Sequence, residues 1–408
     1  MPKTRYGLSP WQDGVARGSR SAYPRLRGGL TAPVAIVGGG LTGVVTAYVF
    51  AAAGIRTVVL EAEAIGSGGT GRAAGLVLAD PAGSFVAHEK ALGRRAARAV
   101  WQSTHRAALD FGATIRRLGI RCAMDAVDRV LYVRDADQVR ALQREAQARR
   151  EAGLEATWLT ARALSSMRLE GAGGIRSRGH ARLDPYRACH GFARAAAARG
   201  ASIFERSSVR RVVVRSKHVE VITANGSVTC DQVVLATAEP SNGFGALDRH
   251  FVTDETYMVQ TPALGAALRK AAPPPSAVLQ DDRDPPHYLT WATGDRVLWG
   301  GADQPRVPKR LRNRVLVQRG GQLMYELSLI VPVLSGLQPE YVWDAPAART
   351  LDGLPFIGPH RNYPRHLFAL GLGASLTGAF LAARVLVRQH EGRPDKADDY
   401  FGFSRLAR

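Results

Sequence analysis

Gly38, Gly40 and Gly43 stand in G-x-G-x-x-G spacing directly after the apolar run Val34-Ala35-Ile36-Val37. A small-residue stretch follows, then a second apolar run, Thr57-Val58-Val59-Leu60, closed by the acid Glu61. Glycine-rich turns are common, but this one is framed by strand, helix, strand and acid in register. That combination is the pattern of a dinucleotide-binding βαβ unit. Gly38 permits the tight turn, Gly40 lets the backbone approach a pyrophosphate, and Gly43 lets the helix lie close to the strand. The N–H groups at the helix start, from Leu41 and Thr42 onward, face the phosphates with the helix dipole behind them. Glu61, about twenty residues on, is placed to accept hydrogen bonds from a ribose diol.

The next segment narrows the dinucleotide. It reads Gly66-Ser67-Gly68-Gly69-Thr70-Gly71-Arg72-Ala73-Ala74-Gly75, where a nicotinamide domain would continue with a helix and a strand. Thr70, Gly71 and Arg72 lie in a small-residue loop whose backbone amides can run along a long ligand. Arg72 can meet phosphate or a flavin edge.

With these residues the chain resembles the FAD-dependent D-amino-acid oxidase superfamily, which holds glycine and sarcosine oxidases. Members follow the acid-ended βαβ unit with a loop like G-S-G-A-S-G-R-N-G-G; Ala73 stands here where they carry Asn. The segment Ala181-Arg182-Leu183-Asp184-Pro185-Tyr186 is similar to the start of their returning helix, and it leads to Ser208-Val209 and the strand from Gln232 to Ala238. Asp352-Gly353-Leu354-Pro355-Phe356-Ile357-Gly358 and the run from Leu367 to Gly373 match near the C-terminus.

The resemblance implies non-covalent FAD and hydride removal from a carbon bearing an amine. It adds Val209, Gly373, Ser375 and Thr377 to the expected cofactor contacts, with Ala374 where relatives often carry a polar residue. Amino-acid members bind the substrate carboxylate with an Arg that falls here on Ala347. Arg349, an even step away on the same strand face, is the candidate replacement. A neighbouring acid or solvent would be its alternative partner. Tyr257 and the pair His287-Tyr288 are further pocket candidates, and core packing is the competing role for each. Trp299-Gly300-Gly301-Ala302-Asp303 has no Lys where sarcosine oxidases place one for oxygen, so O2 and another electron acceptor both stay open.

The composition sets outer limits. The 408 residues suggest more than one domain, and Lys+Arg 55 against Asp+Glu 35 gives +20. A strongly basic chain invites a nucleic-acid reading, yet the excess is mostly arginine spread along helices. Cys122, Cys189 and Cys230 are scattered, without C-x-x-C spacing, which points to neither a disulfide framework nor a metal site. The N-terminus shows no apolar signal-peptide core, and a cytoplasmic setting is the default. The uncharged run from Leu367 to Ala383 approaches bilayer length but is interrupted by glycines, so a strand, a turn and a helix account for it better than a membrane span.

The patterning predicts helices over 84–118, 137–152 and 309–335, and strands near 127–133, 256–261, 287–292 and 296–299. A hairpin is expected over 209–223, turning at Ala224-Asn225-Gly226. The expected fold is α/β: a discontinuous Rossmann-like FAD domain (1–80, 181–245, 345–408) and a mixed-sheet α+β substrate domain (81–180, 246–344). The leading function is FAD-dependent oxidation of the C–N bond of a small amine or amino acid. The alternative is a basic flavoprotein with a binding role, RNA-related, and structural FAD; Ala73, Ala347 and Ala374 are its support. The oligomeric state leaves no mark in the sequence.

Overall fold

The computed structural model describes residues 3–14, 22–240, 243–373 and 375–407. Its first layer is a six-stranded sheet in the order Phe356–His360, Tyr363–Leu370, Gln232–Ala238, Val34–Val37, Thr57–Leu60 and Ser202–Phe204. All neighbours are parallel except the edge strand Phe356–His360. Val34–Val37 and Thr57–Leu60 are buried at every position, as strands covered on both faces must be. One face carries Val34, Ile36, Val59 and Val234 into a core with the helices Leu41–Ala52, Pro185–Ala197 and Thr377–His390. Ala35, Val58, Leu60, Val233 and Leu235 on the other face meet Val219, Val221 and Val228 of a four-stranded sheet.

A ten-stranded mixed sheet forms the second half. The helix Arg312–Ile330 seals one of its faces through Leu316, Leu323 and Leu327 against Val259, Trp299 and Val342. The opposite face presents Met258, Leu298, Trp343 and Ala345 to Trp11, Tyr186 and Ala74. A central strand alternates between these environments, so residue parity decides which side each side chain serves.

The expected α/β architecture with a second mixed-sheet unit is what the chain adopts. The helical stretch from 84 breaks into Phe85–Leu92 and Arg94–Arg117 at Gly93, whose φ of +80° a helix does not accept. The hairpin expected over 209–223 extends into a three-stranded meander, with Val219–Thr223 paired to both Val209–Val214 and Gly226–Cys230. The glycine-broken run near the C-terminus resolves into the strand Tyr363–Leu370 and the helix Thr377–His390. Among the described residues no helix is long and apolar enough to cross a membrane. The strand Tyr341–Thr350 lies wholly in the ten-stranded sheet, so the expected domain boundary at 345 runs through it; the first sheet resumes at Phe356.

Candidate cofactor and substrate site

The glycine turn lies between the carboxyl ends of Val34–Val37 and Gln232–Ala238, where the strand order reverses. Gly38 has φ +108°, and a Cβ there would stand 2.5 Å from the Ala236 carbonyl oxygen. A Cβ on Gly43 would stand 1.8 Å from the Gly38 oxygen. Gly40 caps the helix in an extended conformation with no side-chain cap bond of its own. The amides of Thr42 and Gly43 therefore sit in a first turn where helical pairing leaves N–H groups without partners. The Leu41 N–H donates to Thr70 Oγ1 at 2.9 Å, which ties the turn to the glycine-rich loop.

Glu61 closes the other side of this cradle. Its carboxylate accepts from the Gly39 N–H at 2.6 Å and the Glu63 N–H at 2.9 Å. Burial raises its pKa against the pull of those two donors. The Ser207 N–H donates to the Glu61 carbonyl at 2.8 Å, which brings the segment leading to Val209 alongside the acid. Val209 starts a half-buried strand, with a bulge between it and Arg211.

The loop from Gly66 to Gly75 is held from two sides. Trp343 Nε1 donates to the Arg72 carbonyl at 2.9 Å, and the Arg72 guanidinium lies 3.9 Å from Asp344. Gly71 leaves no room for a side chain, since a Cβ would meet the Gly66 oxygen at 2.6 Å. From outside, an N-terminal arm that sequence reasoning missed clasps the loop. Trp11 Nε1 donates to the Ala73 carbonyl at 2.8 Å, and Gln12 Nε2 to the Ser67 carbonyl at 3.1 Å. The Pro10–Asp13 helix behind these contacts carried a signal in Ser9-Pro10, an N-cap followed by proline at the first helical position.

At the far end of the loop, Ser375 Oγ accepts from the Leu78 N–H at 3.0 Å and Thr377 Oγ1 donates to the Leu78 carbonyl at 2.7 Å. Gly373 reaches this turn with φ +70°. Ala374 lies outside the described residues. Hydrogen bonds thus link Gly39 to Glu61, Leu41 to Thr70, and Leu78 to Ser375 and Thr377.

The substrate candidates separate by parity. Tyr257 faces the covering helix, not the glycine loop. It packs with Trp299 and Leu327, and its hydroxyl receives a hydrogen bond from Gln304 Nε2 at 2.9 Å. Met258, the next residue, occupies the loop-facing side. The pocket role expected of Tyr257 therefore gives way to a core role, because a one-residue step on a strand reverses the face. Arg349 shares its face with Trp343, Ala345 and Ala347, and its Nη2 pairs with Asp254 at 3.4 Å. His287 also has a structural partner: the Ala302 N–H donates to its Nε2 at 2.9 Å while the ring stacks on Trp299. Tyr288 packs against Leu76, Leu78 and Val278.

The glycine cradle and its acid decide the family, and the comparison with known proteins agrees. Residues 33–389 match the family described as FAD dependent oxidoreductase. The chain belongs to that family. It is 24% identical over 382 residues to the probable oxidoreductase OrdL of Haemophilus influenzae, covering 91% of this chain and 85% of that one. It is 25% identical over 389 residues to the gamma-glutamylputrescine oxidoreductase of Escherichia coli, covering 93% and 88%. Its fold is similar to that of glycine oxidase from Geobacillus kaustophilus, with a TM-score of 0.74, 21% identity, and coverage of 90% and 96%. It is an FAD-dependent oxidoreductase, and its relatives include proteins named for amine and amino-acid substrates.

One polar network of this family member has no motif in the sequence. Just past Leu78, the Asp80 Oδ2 accepts from Arg129 Nη1 at 2.6 Å, Arg149 Nη1 at 3.2 Å and Ser177 Oγ at 3.2 Å. Burial alone would raise the Asp80 pKa, but Arg149 and Arg129 outweigh it and hold the carboxyl far below its usual range. Arg149 Nε also binds Glu145 at 2.6 Å, and the Glu145 oxygens receive the Phe85 and Val86 N–H groups at the start of a helix. The contributing residues come from distant segments whose charges meet only in the folded chain.

His180 joins the network as a neutral ring. The Ala79 N–H donates to its Nδ1 at 3.1 Å, so the proton resides on Nε2, 3.0 Å from Ser177 Oγ. Burial lowers its pKa from 6.5 to about 4 despite the attraction of Asp80. Between these values the unfolded chain binds a proton that the folded one refuses. Stability is therefore expected to fall as pH drops from 6.5 to about 4, by up to about 3 kcal/mol from this residue. Denaturant unfolding at several pH values checks this. The His180→Gln variant should lose that part of the slope; an unchanged slope would reject the assignment.

Proposed function

We propose that this protein oxidises the C–N bond of a small amine to an imine, and that its substrate carries no carboxylate at the position where amino-acid relatives clamp one. The observation that supports this reading lies on the loop-facing side of Tyr341–Thr350. Ala347 stands at the clamp position, and the nearest cation on that face, Arg349, is engaged by Asp254. FAD, when bound, supplies the two-electron hydride acceptor. The chain would hold it through the helix N-terminus at Thr42 and Gly43, Glu61, the Gly66–Gly75 loop, Val209, Gly373, Ser375 and Thr377. The substrate gives up its α-hydrogen as hydride and an N–H proton to solvent, leaving C=N. Trp343 and Met258 belong to an apolar cluster with Trp11, Tyr186 and Ala74 that backs the glycine-rich loop. Anaerobic mixing with a panel of amines and amino acids, followed by flavin bleaching, tests the reading. Bleaching by amines without a carboxylate supports it; bleaching by amino acids alone would overturn it.

Arg349→Ala measures the clamp directly. With the side chain half exposed and paired to an acid, its loss is expected to change the KM for an amine substrate by less than about threefold, as for other exposed ion pairs. A carboxylated substrate whose KM rises by about 10- to 100-fold in this variant would restore Arg349 as a bidentate anchor.

A further inference from the structure

Three carbonyls of the glycine-rich loop are held by one short segment of the N-terminal arm. Gln12 Nε2 donates to Ser67 at 3.1 Å, Ser9 Oγ to Gly71 at 2.5 Å and Trp11 Nε1 to Ala73 at 2.8 Å. Ser9 is fully buried, and Trp11 is packed among Tyr186, Met258 and Trp343. The outer attachments of the arm are slighter. Arg5–Tyr6 pairs with Tyr341 and Val342 as an exposed two-residue edge strand. Arg5, Asp13 and Tyr341 form a polar latch whose arginine is half exposed, and exposed ion pairs contribute little. The grip of the arm therefore rests on the three residues that touch the loop.

What the arm grips is intrinsically slack. Five of the ten residues from Gly66 to Gly75 are glycine, the residue that loses most conformational freedom on ordering. A trans peptide turns a carbonyl and the N–H of the next residue to opposite sides. With the Ser67 and Ala73 carbonyls bound by the arm, the Gly68 and Ala74 N–H groups are turned away from it. Among the described residues neither N–H has a hydrogen-bond partner. We propose that Ser9, Trp11 and Gln12 are positioning residues for the cofactor: they fix the loop in the shape that FAD meets, so that binding does not have to order it. Preorganisation of this kind raises affinity by removing an ordering cost, without any contact to the ligand. The assignment rests on the loop as a cofactor contact and is independent of which amine is oxidised.

The test measures the affinity of apoprotein for FAD, together with the rate at which FAD leaves the loaded protein, read from free-flavin fluorescence after dilution. Trp11→Phe with Gln12→Leu removes two donors and keeps a ring in the apolar cluster. It should weaken FAD binding by at least about fivefold, the range of two neutral hydrogen bonds, mainly through faster release. Should that pair fail to fold, Trp11→Phe alone should still weaken binding by at least about twofold. Trp291→Phe is the matched control. It too loses an indole N–H bond to a carbonyl, that of Pro273 at 3.0 Å, but its side chain packs on the helix-covered face of the ten-stranded sheet. Sites without shared partners act independently, so it should lower denaturant stability and leave FAD release within about twofold of wild type. Wild-type affinity in the folded arm variants, or an equal loss in Trp291→Phe, would overturn the assignment. Gly71→Ala, whose Cβ would meet the Gly66 oxygen at 2.6 Å, probes the loop itself. If it weakens FAD binding and the arm variants do not, the arm assignment alone fails. If none of them does, the loop is not a cofactor contact and both readings fall.

Discussion

Gly43→Ala is expected to yield protein that does not retain FAD. The new Cβ would lie 1.8 Å from the Gly38 carbonyl oxygen, and neither atom belongs to a flexible side chain. The helix Leu41–Ala52 must then lift from the strand Val34–Val37. That shift carries the Thr42 and Gly43 amides away from the position a pyrophosphate would occupy. Losing charge-assisted contacts of about 1.5–3 kcal/mol each weakens FAD binding by about 100-fold or more. Overpacking adds a stability cost of about 1–3 kcal/mol. Gly321→Ala is the control, because a Cβ there meets nothing within 4 Å and the residue lies on the exposed side of the helix Arg312–Ile330, outside the cofactor cradle. Fluorescence titration of apoprotein with FAD measures both. Equal affinities for the two variants would show that the close approach at Gly43 does not serve the cofactor.

The second large effect is expected at Arg149, whose side chain is 1% exposed. It binds Asp80 and Glu145, and its guanidinium lies over the Trp101 ring at 4.4 Å. Arg149→Met keeps much of the volume but leaves two buried carboxylates short of a counter-charge. Breaking one side of a buried network of this kind costs about 3–5 kcal/mol. Denaturant unfolding should show that loss, and adding Glu145→Gln should recover part of it, because the double variant removes one uncompensated charge. Additive losses would mean that Arg149 and Glu145 do not act as a unit.

Both sites bear on how the family achieves chemistry with so few reactive side chains. Holding a flavin and a carbon in contact is a task of backbone and shape, which explains why glycines carry so much of the recognition. The buried Asp80–Arg149 network is instead a matter of charge, and its charges come from segments far apart in the chain. The basic composition belongs to neither task alone: many arginines are spent in ion pairs such as Arg312 with Asp344 and Arg388 with Asp398.

What the sequence by itself determined is the cofactor half. Strand, glycine turn, helix and acid are local features with fixed spacing, and local geometry places them together whatever the rest of the chain does. The glycine-rich loop and the Gly373–Thr377 turn are read the same way. The placement of the substrate-side candidates was decided by the tertiary structure. Tyr257 and Met258 are neighbours in sequence, yet only strand register shows which of them faces the loop. Arg349 carries its charge in any reading, and only the approach of Asp254 from the adjacent strand shows where that charge is satisfied. Asp80, Arg129, Arg149 and Gln280 have no shared motif, because they are drawn together by strand pairing and helix packing across sequence separations that spacing does not encode. The N-terminal arm is the intermediate case: its cap was legible in Ser9-Pro10, but its grip on the glycine-rich loop needed the fold.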